Sequence, residues 1–124
     1  MARKLYVIAL DKEVLKEAGF VKYNPQYEKG KNCYYVGESG YSAEKRFEIH
    51  KNKIPTRSGF SQHNKYVSKY GRYLSKKQYQ NISEFKTSDE GKAAEKNKAR
   101  QLQKKGHAVY CDKQILKDLL EEKS

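Results

Sequence analysis

The sequence predicts an α+β fold, a small, mostly antiparallel β-sheet flanked by helices, and three observations carry that expectation. Residues 4–10 (KLYVIAL) form an apolar run of strand length, rich in β-formers. A second strand-like run at residues 32–36 and a third at 107–111 lie far along the chain, so the sheet is built from separated segments. Between and after them come stretches with helix-start chemistry and helical apolar spacing.

Each element has its own signal. Asp11 caps a short helix over residues 11–20, with Val14, Leu15 and Ala18 on one face. Asn24-Pro25 and Lys29-Gly30 are turn pairs, and Gly37 is expected to end the second strand, leaving Glu38-Ser39-Gly40 as a tight loop. Ser42 caps a helix over residues 42–51, with Glu44 in its favourable first turn. Pro55 and Gly59 interrupt the chain before an aromatic-basic helix at residues 61–70, stopped by Gly71, and residues 72–85 read as a short strand or turn. Thr87 and Glu90 make a capping box for a helix over residues 88–105, ended by Gly106. Asp112 starts a last helix over about 112–123 whose Ile115, Leu116, Leu119 and Leu120 form one apolar stripe. That stripe packs on the core or, alternatively, forms a weak dimer.

Composition narrows the function classes. A chain of 124 residues with 34% charged residues and a mean hydropathy of -1.09 holds one modest core, and residues 1–124 read as a single domain. Eleven tyrosines and four phenylalanines supply apolar area that the aliphatic residues do not. No segment reads as a membrane span or signal peptide, and Cys33 and Cys111 carry no pairing motif, so a cytoplasmic protein with reduced thiols is expected. The net charge of +12 is concentrated. Lys45, Arg46, Lys51, Lys53, Arg57, Lys65, Lys69, Arg72, Lys76 and Lys77 face a single acid, Glu48, with Phe47, Phe60, Tyr66, Tyr70 and Tyr73 among them. Such a stretch suits a phosphate backbone, because counterion release dominates that affinity. An acidic protein partner, or charge kept for solubility, is the alternative.

Three features bear on chemistry. Arg46 and His50, four apart on a helix, share a face, where an Arg can fork onto a phosphate and a neutral His can accept or orient a proton. Surface pairs also arise at this spacing by chance. Glu95 continues, through Ala99 and Leu102, a face that points to the sheet. A carboxylate there needs compensation, either a salt bridge to a lysine or a hard cation such as Mg²⁺. Tyr6 and Tyr35 lie on two apolar strands, where packing explains them unless they join Arg46, His50 and Glu95.

That combination resembles the GIY-YIG nucleases. Leu5-Tyr6-Val7 resembles the first signature strand and Tyr35-Val36-Gly37 the second; Arg46-Phe47-Glu48-Ile49-His50 matches the R-x-x-x-H helix that follows. Ala94-Glu95 through Gly106-His107-Ala108-Val109 resembles the late helix carrying the metal-binding Glu and the strand after it. Lys4 stands where the first Gly of the signature would be, residues 11–32 make the hairpin longer than in compact members, and the late Asn of many members has no counterpart. The resemblance implies an endonuclease that hydrolyses DNA phosphodiester bonds with one Mg²⁺ or Mn²⁺ on Glu95. Tyr6 with Tyr35 and His50 would handle the proton of the attacking water, and Arg46 would hold the phosphate. Lys45, Lys51, Lys53, Arg57, Lys65, Lys69 and Arg72 would track the backbone beside the cut. A catalytically weak or inactive nucleic-acid-binding module of the same fold is the second expectation.

Overall fold

The computed structural model describes residues 2–53 and 64–123. It shows the expected α+β class, a four-stranded mixed sheet with helices on both faces. The strands are β1 (Lys4–Leu10), β2 (Cys33–Ser39), β3 (Gly71–Leu74) and β4 (Ala108–Tyr110), in the order β3-β1-β2-β4. β1 pairs antiparallel with β2 and β3, while β4 runs parallel to β2. The parallel pair uses α4 (Ser88–Lys104) as part of its crossover, since parallel neighbours cannot be joined by a tight turn. β1 is buried from Leu5 through Leu10, which is why its sequence does not alternate: it is interior to the sheet, with both faces covered.

Register decides which side chains meet. Tyr6 lies opposite Gly37 and Ile8 opposite Tyr35, so these four share one face, because side chains alternate along a strand. Leu5, Val7, Val36 and Glu38 share the other. α2 (Ala43–Asn52) covers the tyrosine face, and α4 approaches Glu38 so closely that a Cβ at Gly91 would sit 2.6 Å from its carboxylate oxygen. α3 (Lys65–Tyr70) and the short α1 (Ala18–Val21) pack around Tyr110, through Tyr66 and Phe20. α5 (Lys113–Glu122) buries Ile115, Leu116 and Leu119, with Leu120 partly buried, so the stripe is spent on the core of this chain.

Three expectations are corrected, and one left open is resolved. The helix over residues 11–20 is broken: a 3₁₀ turn at Lys12–Lys16, capped by Asp11, gives way at Glu17 to extended backbone (φ −87°, ψ 112°) before α1. β2 does not end at Gly37 but runs on to Ser39, because the Lys4–Ser39 pairing continues the ladder. Here the glycine serves packing: a Cβ at Gly37 would fall inside the Tyr6 hydroxyl and ring. The helix expected over residues 61–70 starts at Lys65, with Asn64 as its cap, while residues 61–63 lie outside the described residues. Residues 72–85, left open as strand or turn, hold most of β3, a 3₁₀ turn at Lys76–Gln78 and a bridge from Phe85 to Arg3. Both cysteines are free and buried, and no described helix is long and apolar enough to cross a membrane.

Candidate active site

Three elements gather around one phenol oxygen. β1 supplies Tyr6, β2 supplies Tyr35, and α2, held at its start by Ser42 Oγ accepting from the Lys45 amide, supplies Arg46 and His50. Tyr6 Oη and His50 Nε2 are hydrogen-bonded at 3.1 Å, and Tyr6 and His50 are both almost wholly buried. The Tyr35 ring meets His50 edge-on, with centroids 5.2 Å apart, and lies 6.2 Å from the Tyr6 ring. On the far side of His50, the backbone amide of Asn64 donates to Nδ1 at 2.8 Å.

Burial dominates the electrostatics of the two tyrosines. It pushes both hydroxyls well above the ordinary tyrosine range, and the charge of Glu95 adds to the effect. The Arg46 guanidinium opposes it at both, and polar contacts from Arg46 and Tyr35 favour an ionised Tyr6 without overcoming burial. At neutral pH both phenols therefore keep their protons.

Glu95 sits within α4's buried stripe, between Gly91 and Ala99, 2% exposed. Its Oε2 accepts from the Asp112 backbone amide at 2.9 Å, and its Oε1 is 3.5 Å from Lys92 Nζ. The same ammonium lies 3.6 Å from Glu38 Oε1 and 3.8 Å from Asp112 Oδ2, and Glu38 also takes a 2.5 Å hydrogen bond from Arg3 Nε. Burial raises Glu95 to about 7, partly offset by the Asp112 amide and by Lys92. β4 pairs with β2 only over Cys33–Tyr35, and Asp112 lies two residues beyond its end. Beyond that point Val36–Ser39 have no strand partner on that side among the described residues, although Val36, Gly37 and Ser39 are buried, and Glu95 is anchored to the Asp112 amide. Its charge still raises both tyrosines of the opposite face.

The donors around Glu95 are carboxylate oxygens, the ligand type that a hard cation takes. Burial disfavours the ionised form of Glu95, and the carboxylates of Glu38 and Asp112 lie around the same ammonium. Among the described residues no three acidic, His or Cys side chains are arranged to hold an ion by themselves. A cation here would rest on Glu95 and keep most of its coordination as water or phosphate oxygen, which is how Mg²⁺ prefers to bind.

The basic candidates divide. Lys45, Lys53, Lys65, Lys69 and Arg72 are exposed, with Lys65 over the Tyr66 ring. Lys51 donates to the Ser68 carbonyl and ties α2 to α3, and Lys69 lies 3.5 Å from Glu17 and over the Tyr70 ring. Arg57 lies outside the described residues. Sequence reasoning missed Lys92, Glu38 and Asn64. Lys92 precedes Glu95 by one helical turn, a spacing that signals an ion pair, whereas nothing local marks the other two. The chain finds no match among models of protein families, curated proteins or solved structures.

Proposed function

We propose that the chain is a metal-dependent endonuclease that hydrolyses DNA phosphodiester bonds through a GIY-YIG-type site. The observation that carries this reading is the convergence of Tyr6, Tyr35, Arg46 and His50 from three separate elements, with the buried carboxylate of Glu95 in electrostatic reach. Buried polar side chains gathered this way are costly to a core and useful to a reaction. Arg46 pairs with the scissile phosphate as its negative charge grows. Tyr6 orients the attacking water and takes its proton once the phenol's own proton has left; Arg46 favours that ionisation and burial opposes it. Tyr35 holds the Tyr6 ring in place. Mg²⁺ or Mn²⁺ on Glu95 would supply charge stabilisation of the departing oxygen. The exposed cations Lys45, Lys53, Lys65 and Arg72 would contact the backbone around the cut.

A second reading, a nucleic-acid-binding module of the same fold with little or no activity, draws on one observation: both tyrosines are held protonated. Incubating the full chain with supercoiled plasmid in Mg²⁺, Mn²⁺ or EDTA separates the two. Nicking that requires metal and disappears in Glu95→Ala and Arg46→Ala supports the enzyme. Salt-sensitive binding without cutting in any metal supports the module.

A further inference from the structure

We propose that Asn64 is a positioning residue whose backbone amide fixes His50 as the tautomer protonated on Nε2, so that His50 donates to the Tyr6 oxygen and never takes the Tyr6 proton. A backbone N–H has a proton to give and no lone pair to offer. The 2.8 Å contact from the Asn64 amide therefore requires a bare lone pair on His50 Nδ1. An imidazole bare at Nδ1 carries its proton on Nε2. That nitrogen faces Tyr6 Oη at 3.1 Å, and the N–H points at the phenol oxygen. His50 is 1% exposed, so bulk water does not compete at either nitrogen.

The amide is itself held in place. Asn64 caps α3 with extended backbone (φ −92°, ψ 131°), and its Oδ1 accepts from the amides of Tyr66 at 2.9 Å and Val67 at 3.2 Å. The cap thus sets His50 from one side while α2 sets it from the other. With one lone pair of Tyr6 Oη engaged by Nε2–H, the phenol's own proton points away from His50.

The consequence for proton movement rests on the nuclease reading, whereas the tautomer does not. A proton leaving the attacking water can form an O–H bond on Tyr6 only after the Tyr6 proton has gone to solvent or substrate. His50 keeps its proton throughout, because accepting a second one at Nδ1 breaks the Asn64 hydrogen bond. A relay from water through Tyr6 to His50 does not operate.

The test is the imidazole ¹H–¹⁵N long-range correlation spectrum of the full ¹⁵N-labelled chain at pH 7. The three histidines are assigned with His63→Gln and His107→Gln. The expected pattern is a protonated Nε2 and a bare Nδ1 for His50. A protonated Nδ1, or an imidazolium, overturns the proposal. Asn64→Ala removes the cap side chain and keeps the amide, so the pattern stays; Asn64→Pro removes the amide, so the pattern gives way to a mixture of tautomers. An unchanged pattern in folded Asn64→Pro also overturns the proposal, and the wild-type spectrum decides alone if that variant does not fold. In plasmid nicking, His50→Gln can reproduce the acceptor–donor pair and keeps activity within about tenfold, whereas losing a proton relay costs about a hundredfold or more. A His50→Gln variant as inactive as His50→Met overturns the donor role. Absence of nicking by the wild type in every metal refutes the nuclease reading, while the spectrum still decides the tautomer.

Discussion

Replacing Glu95 with Gln removes one ionisation and leaves the shape of the side chain nearly unchanged, which makes the electrostatic cost of that carboxylate measurable. Burial holds the folded-state carboxyl at about 7, against an ordinary value of 4.5. The folded state thus binds this proton more tightly than the unfolded state. The stability so gained is fully present below about pH 4.5 and is lost as the pH rises through about 7. At about 1.4 kcal/mol per pH unit, the loss amounts to about 3 kcal/mol at pH 8. The Gln variant has nothing to ionise there, and its amide oxygen can still accept from the Asp112 amide that Glu95 Oε2 now engages. The expected result of urea unfolding in EDTA is near-equality of the two proteins at pH 4 and an advantage to Glu95→Gln approaching 3 kcal/mol at pH 8. Other titrating groups are common to both and cancel in the difference. Adding Mg²⁺ at pH 8 should close the gap for the wild type alone, by about 2.7 kcal/mol at a hundredfold excess over Kd. A difference that does not change with pH would refute the burial argument. A gap that closes with pH but ignores Mg²⁺ and Mn²⁺ would refute the metal assignment and leave burial intact.

Four further outcomes follow from the same geometry. Tyr6→Phe leaves the His50 Nε2–H without its phenol partner; urea unfolding should show a loss of about 1–3 kcal/mol, and plasmid nicking should fall a hundredfold or more. Gly37→Ala drives a methyl into Tyr6, which has no room to move; a stability loss of about 1–3 kcal/mol with nicking abolished is expected, and an active, unperturbed variant would mean that Tyr6 need not sit where it does. Lys92→Met leaves Glu38, Glu95 and Asp112 without the ammonium they share; Mn²⁺ binding followed by electron paramagnetic resonance should tighten roughly tenfold, or about 1.4 kcal/mol, whereas weaker binding would show that Lys92 organises the ligands rather than competing with the ion. Lys45→Ala, Lys65→Ala and Arg72→Ala should each lower the slope of log affinity for DNA against log salt by about 1. Lys51→Ala and Lys69→Ala, whose ammonium groups already contact Ser68 and Glu17, should change it less.

What the sequence discloses and what it conceals divides along the range of the interaction. Caps are local chemistry, and Asp11, Ser42, Thr87 and Asp112 each cap with the side chain as their residue types imply. Gly106, expected to stop α4, adopts φ +92°, a conformation other residues rarely take. Gly37 shows where local reading misleads. A glycine after three β-formers reads as a strand end, yet its reason lies 31 positions earlier, in a ring that needs the missing Cβ. The break at Glu17 is equally non-local: its carboxylate accepts from Tyr70 Oη at 2.6 Å, and it lies 3.5 Å from Lys69.

Glu95 shows how two readings that compete in the sequence coexist in the fold. A salt bridge to a lysine and a cation-binding carboxylate were alternatives, and the structure provides the lysine. Lys92 does not dispose of the second alternative, since Glu38, Glu95 and Asp112 gather around this one ammonium while burial still holds Glu95 near neutrality. Arg3 adds a second cation to that cluster through Glu38, and burial still raises the Glu95 carboxyl. Glu95 is held by the Asp112 amide, two residues past the point where β4 leaves β2. A fold could bury an apolar residue at position 95 at far lower cost. In the nuclease reading Glu95 would hold a divalent ion, which would supply the positive charge that Lys92 alone leaves short and would favour the ionised carboxylate that burial opposes.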